Sequence, residues 1–221
     1  KAIIHRSSEN EKGIPMSVAE LDRLNNADRF RGVTAVDGST KARIERAAIS
    51  LYTEQSVDAV TTNQIASLAG YSEATLYRHY ASKEDIGFSI FLAIHERLGD
   101  LVLAARGAGE ALEDQVQALV LAYCDTADDD WQLFSFHLLN MNRYLPQLPK
   151  NKRNPVDAAE ALVKQAIKAG QIPKGDVRLR AAMALGVVLQ PALHKAYGRH
   201  PGKLGPMKEK LTSAVLGVLR A

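Results

Sequence analysis

The sequence predicts an all-α protein, and three observations carry the prediction. Apolar residues recur at intervals of three and four through most of the chain from residue 40 onward. Ser, Thr, Asp or Asn stands ahead of most of these stretches, and Gly or Pro follows several of them, which are the start and stop signals of helices. No segment shows the alternation or the β-branched runs of a strand, and no internal repeat is present.

Residues 1–39 are polar and mixed, broken by Gly13, Pro15, Gly32 and Gly38, and read as an extension. One short helix is expected there, because Ser17 and Glu20 form a capping box ahead of Val18, Leu21 and Leu24. From Thr40 to about Ser56 the positions Ile44, Ala47, Ala48, Leu51 and Tyr52 share one helical face. A second, short helix follows, capped by Thr61 or, as first preference, Thr62; Ile65 and Ala66 face inward and Gly70 ends it. Ser72 caps a third, whose Leu76 points to the core while Glu73, Thr75, Tyr77, Arg78 and His79 stay outside.

Beyond residue 82 the helices lengthen. Ser82 caps one carrying Ile86, Ile90, Phe91, Ile94, Leu98 and Leu101, ending near Gly107. Glu110 to about Thr126 and Trp131 to about Tyr144 each read as one helix, the latter stopped by Pro146 and Pro149. Asn154 caps a helix with Pro155 at its first position and Gly170 at its end. Asp176 opens another, in which Pro191 predicts a kink, and Pro206 to Arg220 is the last.

Composition narrows the class. At 221 residues, 46% apolar and 24% charged, the chain resembles an average soluble domain, and no apolar run reaches the roughly eighteen residues of a membrane span. A single cysteine, Cys124, allows no internal disulfide and points to a reducing cytoplasm, and no stretch near the start has signal-peptide character. The net charge of +3 is small, but it is unevenly placed: 3 basic against 11 acidic residues in 84–149, and 14 against 4 in 150–221. These charges lie along amphipathic helices, which fits oppositely charged faces more simply than a nucleic-acid footprint.

The most informative stretch is residues 61–86, TTNQIASLAGYSEATLYRHYASKEDI: two short helices joined by a glycine turn, with an outward second helix of a size that enters a DNA major groove. Its threonine caps, Ile-Ala, Ala-Gly, Ser, Thr-Leu-Tyr and Ser-Lys-Glu, with the helix before it, resemble the DNA-binding domain of the TetR (tetracycline-repressor-like) family over residues 40 to about 90. Two residues depart from the usual pattern, Tyr71 and Tyr80. The resemblance implies an N-terminal three-helix helix-turn-helix domain at 40–86, after the 1–39 extension, and a helical effector-binding and dimerisation domain at 87–221.

Carried over residue by residue, the resemblance implies that Glu73, Ala74, Thr75 and Arg78 face bases. Arg78 matches the O6 and N7 acceptors of guanine, and Glu73 would accept from a cytosine amino group, or pair with Arg78. It further implies that Thr62, Asn63, Tyr77, His79 and Lys83 hold phosphates. The last two long helices, about 176–197 and 206–220, would pair in a homodimer, and Arg29 and Arg31 in the extension could reach a groove or backbone.

Polar groups on otherwise apolar helices suggest where a small-molecule effector would lie. His95, Tyr123, Trp131, Phe134, His137, Met141, Gln190 and His194 are the candidates. The six histidines and one cysteine have no metal-ligand spacing, and no phosphate loop or nucleophile elbow occurs, so no metal, cofactor or enzymatic activity is expected. The expected function is a cytoplasmic, ligand-responsive repressor that binds a palindromic double-stranded operator as a dimer. The alternative is a helical small-molecule-binding or interaction protein without specific DNA recognition.

Overall fold

The computed structural model describes residues 39–149 and 154–221; the helix expected at Ser17 and the arginines at 29 and 31 lie outside them. The described residues form helices α1 (Thr40–Glu54), α2 (Thr62–Ala69), α3 (Glu73–Tyr77), α4 (Lys83–Ala105), α5 (Leu112–Asp129), α6 (Trp131–Leu139), α7 (Met141–Tyr144), α8 (Pro155–Lys168), α9 (Val177–Ala196) and α10 (Lys208–Arg220). Short 3-10 turns at Leu145–Gln147 and Gly205–Met207 complete them, and no strand occurs among the described residues. None of these helices is long and apolar enough to cross a membrane.

Two compact units divide the chain, one holding 39–97 and 130–149, the other 98–129 and 154–221. The division expected at residue 86 falls inside α4, which runs without a break from Lys83 to Ala105.

In the first unit α1 packs on α2 and α6, and α2 on α3. Of the face predicted on α1, Ile44 and Ala48 are fully enclosed and Ala47 and Tyr52 nearly so, whereas Leu51 is half-buried and Ile49, outside that prediction, is fully enclosed. Burying each isoleucine side chain there contributes about 1.5–3 kcal/mol. Tyr52 stacks on Phe136 of α6 with ring centroids 5.8 Å apart, and Arg46 of α1 pairs with Asp130 at the start of α6. The sequence predicts one helix from Trp131 to Tyr144, but it breaks at Asn140. There Asn140 leaves helical geometry at φ −110°, ψ 10°, and both its side-chain amide, at 2.8 Å, and its backbone N–H, at 3.2 Å, donate to the Phe136 carbonyl at the end of α6. The break lets Tyr144 turn inward to complete buried contact, over a position where any side chain on Gly87 would collide with its hydroxyl.

In the second unit α10 packs on α9 and α5, and α8 on α9. Asn154 caps α8 with Pro155 at its first position, and Asp176 caps α9 through the N–H groups of Arg178 and Leu179. Pro191, where a kink is expected, lies within α9, which continues to Ala196. The expected start of the last helix at Pro206 is instead a 3-10 turn. Its backbone is held by Asp128 of α5, whose carboxylate accepts from the N–H groups of Leu204 at 2.9 Å and Gly205 at 2.8 Å and lies 3.6 Å from the Lys195 ammonium.

Candidate nucleic-acid interface

The helix-turn-helix is assembled almost entirely by local hydrogen bonds. Thr61, rather than Thr62, is the cap of α2: its hydroxyl accepts from the Gln64 N–H at 3.2 Å, and the Gln64 side chain accepts from the Thr61 N–H at 2.8 Å. The Thr-x-x-Gln spacing was present in the sequence to decide between them. At the other end Gly70 adopts φ 80°, the left-handed region that glycine enters without penalty. Tyr71 N–H then donates to the Ala66 carbonyl at 2.8 Å and Gly70 N–H to that of Ser67 at 3.1 Å, so the last carbonyls of α2 are satisfied and the chain reverses. Ser72 caps α3 through the Thr75 N–H. Ser82 and Asp85 form a reciprocal box at the start of α4, Ser82 accepting from the Asp85 N–H and Asp85 from the Ala81 N–H.

One buried anchor fixes the orientation of α3. Leu76 is fully enclosed, Ile65, Ala66 and Ala69 of α2 are buried, and Ala74, Tyr77, Arg78 and His79 are exposed. Glu73 and Thr75 are half-buried. The Arg78 side chain forms no hydrogen bond or ion pair with any described residue and is not paired with Glu73; the Glu73 carboxylate instead accepts from the Thr62 hydroxyl at 2.5 Å. The Tyr77 hydroxyl stands 3.3 Å from that same Thr62 oxygen. Tyr71 is half-buried, with the Arg43 guanidinium 5.2 Å from its ring centroid.

Beside α3 runs an open groove whose lining includes Thr61, Thr62, Tyr77, Ser82 and Lys83. Lys83 does not reach freely across it. Its ammonium donates to the carbonyls of Asp58 at 2.7 Å and Val60 at 2.8 Å, while the Tyr52 hydroxyl donates to the Lys83 carbonyl at 2.7 Å. This lysine therefore ties the α1–α2 loop to the start of α4 and presents only part of its charge outward. Asn63 is exposed in the first turn of α2. Sequence reasoning missed the supports behind this surface. Tyr80 is buried and donates to the buried Glu45 at 2.5 Å, and burial raises the Glu45 carboxyl above its usual range. Arg143 of α7 makes a two-pronged contact with Asp58 at 2.8 Å for each bond.

The eight effector candidates are divided between the two units. In the first unit His95 and His137 are both buried, with His95 Nδ1 3.2 Å from His137 Nε2, and the Phe91 ring stacks on each. Burial lowers the His95 pKa, and burial together with His95 lowers that of His137 to about 3, so the pair is neutral at pH 7. The outer nitrogens, His95 Nε2 and His137 Nδ1, have no hydrogen-bond partner among the described residues. Trp131 stacks on the buried Phe134, and Met141 is half-buried. Tyr123, Gln190 and His194 belong to the second unit: Tyr123 is half-buried in α5, and the other two are exposed on α9. Among the described residues no group of three or more His, Cys, Asp or Glu side chains is placed to hold a metal ion.

Comparison with known proteins agrees with this architecture. Residues 44–89 match the model of the family described as bacterial regulatory proteins, tetR family. An HTH-type transcriptional regulator of Mycobacterium tuberculosis is 27% identical over 158 residues, which cover 71% of this chain and 82% of that protein. The solved fatty acid degradation regulator FadR of Bacillus halodurans superposes with a TM-score of 0.68 at 18% identity, covering 79% of this chain and 93% of that one. FadR of Bacillus subtilis, in complex with stearoyl-CoA, gives 0.64 at 18% identity, covering 80% and 97%. The matched segment contains all of α2 and α3, with the glycine turn and outward helix just described, so residues 44–89 form a tetR-type helix-turn-helix and the chain is similar to DNA-binding transcriptional regulators.

Proposed function

We propose that this regulator is a ligand-responsive repressor that binds a palindromic operator as a homodimer in the cytoplasm. The observation that carries the reading is the outer side of α3 and the residues just after it, which offer Ala74, Tyr77, Arg78 and His79 to solvent with Leu76 enclosed behind. Arg78, unpartnered, is the base reader, with Ala74 and Thr75 beside it; Thr62, Asn63, Tyr77, His79 and the outward part of Lys83 take phosphates.

A dimer is supported by the surface of the second unit. Helix α9 exposes Leu179, Ala182, Met183 and Gly186 along one stripe, and α10 exposes Ala214 and Gly217. A side chain added at Gly186 or Gly217 would meet nothing within 4 Å in the single chain, although glycine in a helix interior is unfavourable by about 1 kcal/mol relative to alanine. A second copy approaching closely gives those glycines a purpose, and two reading heads supply the specificity that one lacks. For the effector, the neutral His95–His137 pair within an aromatic shell favours a largely apolar compound, in keeping with the acyl-CoA held by the B. subtilis neighbour. Binding would shift the dimer between states that differ in the spacing of its heads.

The test uses the full chain and an operator selected from a random-sequence duplex pool. Wild-type binding should weaken steeply with added salt. Arg78→Ala should lose about 1–3 kcal/mol of discrimination at one base pair of each half-site. A mutant that ranks all single-base operator variants as the wild type does would rule out the assignment of Arg78, and a reporter gene silenced through the operator separates repression from activation.

A further inference from the structure

The hydroxyl groups of Thr62 and Tyr77, at the edge of the exposed side of α3, are engaged within the protein, and the residue that engages them is Glu73. A carboxylate only accepts hydrogen bonds, whereas a hydroxyl has one proton to give. At 2.5 Å the Thr62 hydroxyl must therefore spend its proton on Glu73. Its oxygen is left with lone pairs, so across the 3.3 Å contact with Tyr77 it can only accept, and the Tyr77 proton points back to Thr62. The bonds run in one direction, from Tyr77 to Thr62 to Glu73, and bridge the first residue of α2 to both ends of α3. What Thr62 and Tyr77 offer outward in this arrangement is lone pairs, and phosphate oxygens are acceptors as well.

We infer that Glu73 makes the phosphate grip of Thr62 and Tyr77 conditional on a base contact. The inference rests on the phosphate-facing roles proposed above for Thr62 and Tyr77 and on the base-facing position that the family resemblance implies for Glu73. On a random duplex, Thr62 or Tyr77 can donate to a phosphate only by breaking the chain, which strands the Glu73 carboxylate without its donor beside a polyanion. On the correct sequence an amino group of cytosine or adenine in the major groove takes over as donor to Glu73. Both hydroxyl protons are then released to turn outward to phosphate. Glu73 is thus a positioning residue that lowers non-specific affinity more than specific affinity, acting through two hydroxyls on the neighbouring positions. Charge repulsion alone would disfavour both complexes and would not depend on Thr62 or Tyr77.

That difference is what the experiment reads. Wild type, Glu73→Ala, Glu73→Gln, Tyr77→Phe, Thr62→Val and the double variants Glu73→Ala/Tyr77→Phe and Glu73→Ala/Thr62→Val are titrated as full chains against the selected operator and against a random duplex of equal length. Glu73→Ala should bind the random duplex about tenfold more tightly than wild type, the scale of one hydrogen bond to a charged group. The gain should shrink to about twofold when Tyr77→Phe or Thr62→Val is already present, a non-additivity of the size that directly bonded residues show. Glu73→Gln, which keeps an acceptor for Thr62 without the charge, should retain most of the wild-type discrimination. Equal gains from Glu73→Ala in all three backgrounds, or a Glu73→Gln protein indistinguishable from Glu73→Ala, would overturn the inference while leaving the regulator assignment intact. A wild type that binds no duplex at all sinks both. Unchanged helical circular dichroism in the variants confirms that each comparison is between folded chains.

Discussion

The two compact units expose different surfaces among the described residues, and the difference is the ground for proposing a different partner for each. In the first unit the outer side of α3 is short, polar and sharply set by its neighbours: a glycine turn before it, a serine cap, and one enclosed leucine beneath. In the second unit the outer side of α9 is long and apolar, with Leu179 59% and Met183 48% exposed and a helical glycine between neighbours of modest size. An exposed polar face with hydroxyls and an unpaired arginine suits a polyanion read at fixed geometry. An exposed apolar stripe suits another protein surface that can exclude water over an area.

If this contrast is real, removing the anchor of each surface should have unlike consequences. Leu76→Ala should destabilise the first unit by about 2–5 kcal/mol, because a fully enclosed leucine leaves a cavity under a helix of only five residues. Operator affinity should fall with it. Truncating the exposed Leu179 to alanine should leave the unfolding free energy of the isolated subunit nearly unchanged and act on self-association, read by sedimentation over a range of concentrations. A large loss of chain stability from Leu179→Ala, equal to that from Leu76→Ala, would contradict the division drawn here.

Acid should also separate the units. His137 has a folded pKa of about 3, lowered first by burial and then by His95, against an ordinary value of 6.5. A buried neutral histidine binds fewer protons folded than unfolded between these values, so its contribution is complete above pH 6.5 and is lost progressively as the pH falls toward 3. Between pH 7 and pH 5 the loss should be on the order of 2 kcal/mol. The described histidines of the second unit, His194 and His200, are not buried. Near-ultraviolet and tryptophan signals from Trp131, in the first unit, should thus fade at a higher pH than helical signal as a whole. His137→Phe should flatten that dependence, and a first unit whose stability is level from pH 7 to pH 5 in the wild type would count against a neutral buried pair.

Much of this was legible in the sequence, and what was legible is what is local. Helix limits at Gly70, Ser72, Ser82, Asn154–Pro155, Gly170 and Asp176 are written within four residues of where they act, as was the buried face of α1. The supports of the site are not. Glu45 and Tyr80 are 35 residues apart, His95 and His137 are 42, and Asp58 and Arg143 are 85. Nothing in a periodic pattern records such pairings, since each partner alone reads as an ordinary polar residue on a helix or loop. The same limit hid the partner of Glu73, which lies on the preceding helix, and the break at Asn140 inside an otherwise regular apolar run left no periodic mark.

The smallest expected effects come from glycines, and they sharpen the contrast because their signs differ. Gly70 sits at φ 80°, so Gly70→Ala forces a β-carbon into the left-handed region and should cost about 1–2 kcal/mol in the first unit. Crowding adds to this, since the new carbon would lie 3.3 Å from the Arg43 guanidinium that covers Tyr71. Gly186 lies within α9 with open space around it, and Gly186→Ala should stabilise the isolated subunit by about 0.5–1 kcal/mol, the ordinary preference of a helix interior for alanine. If a second copy packs closely over α9, the same methyl group should weaken the dimer, so that the variant unfolds at higher denaturant when dilute yet dissociates at higher protein concentration than wild type. Stabilisation without any change in association would remove the reason offered for a glycine at that position, and with it the argument that the exposed stripe of α9 is covered by a second copy of the chain.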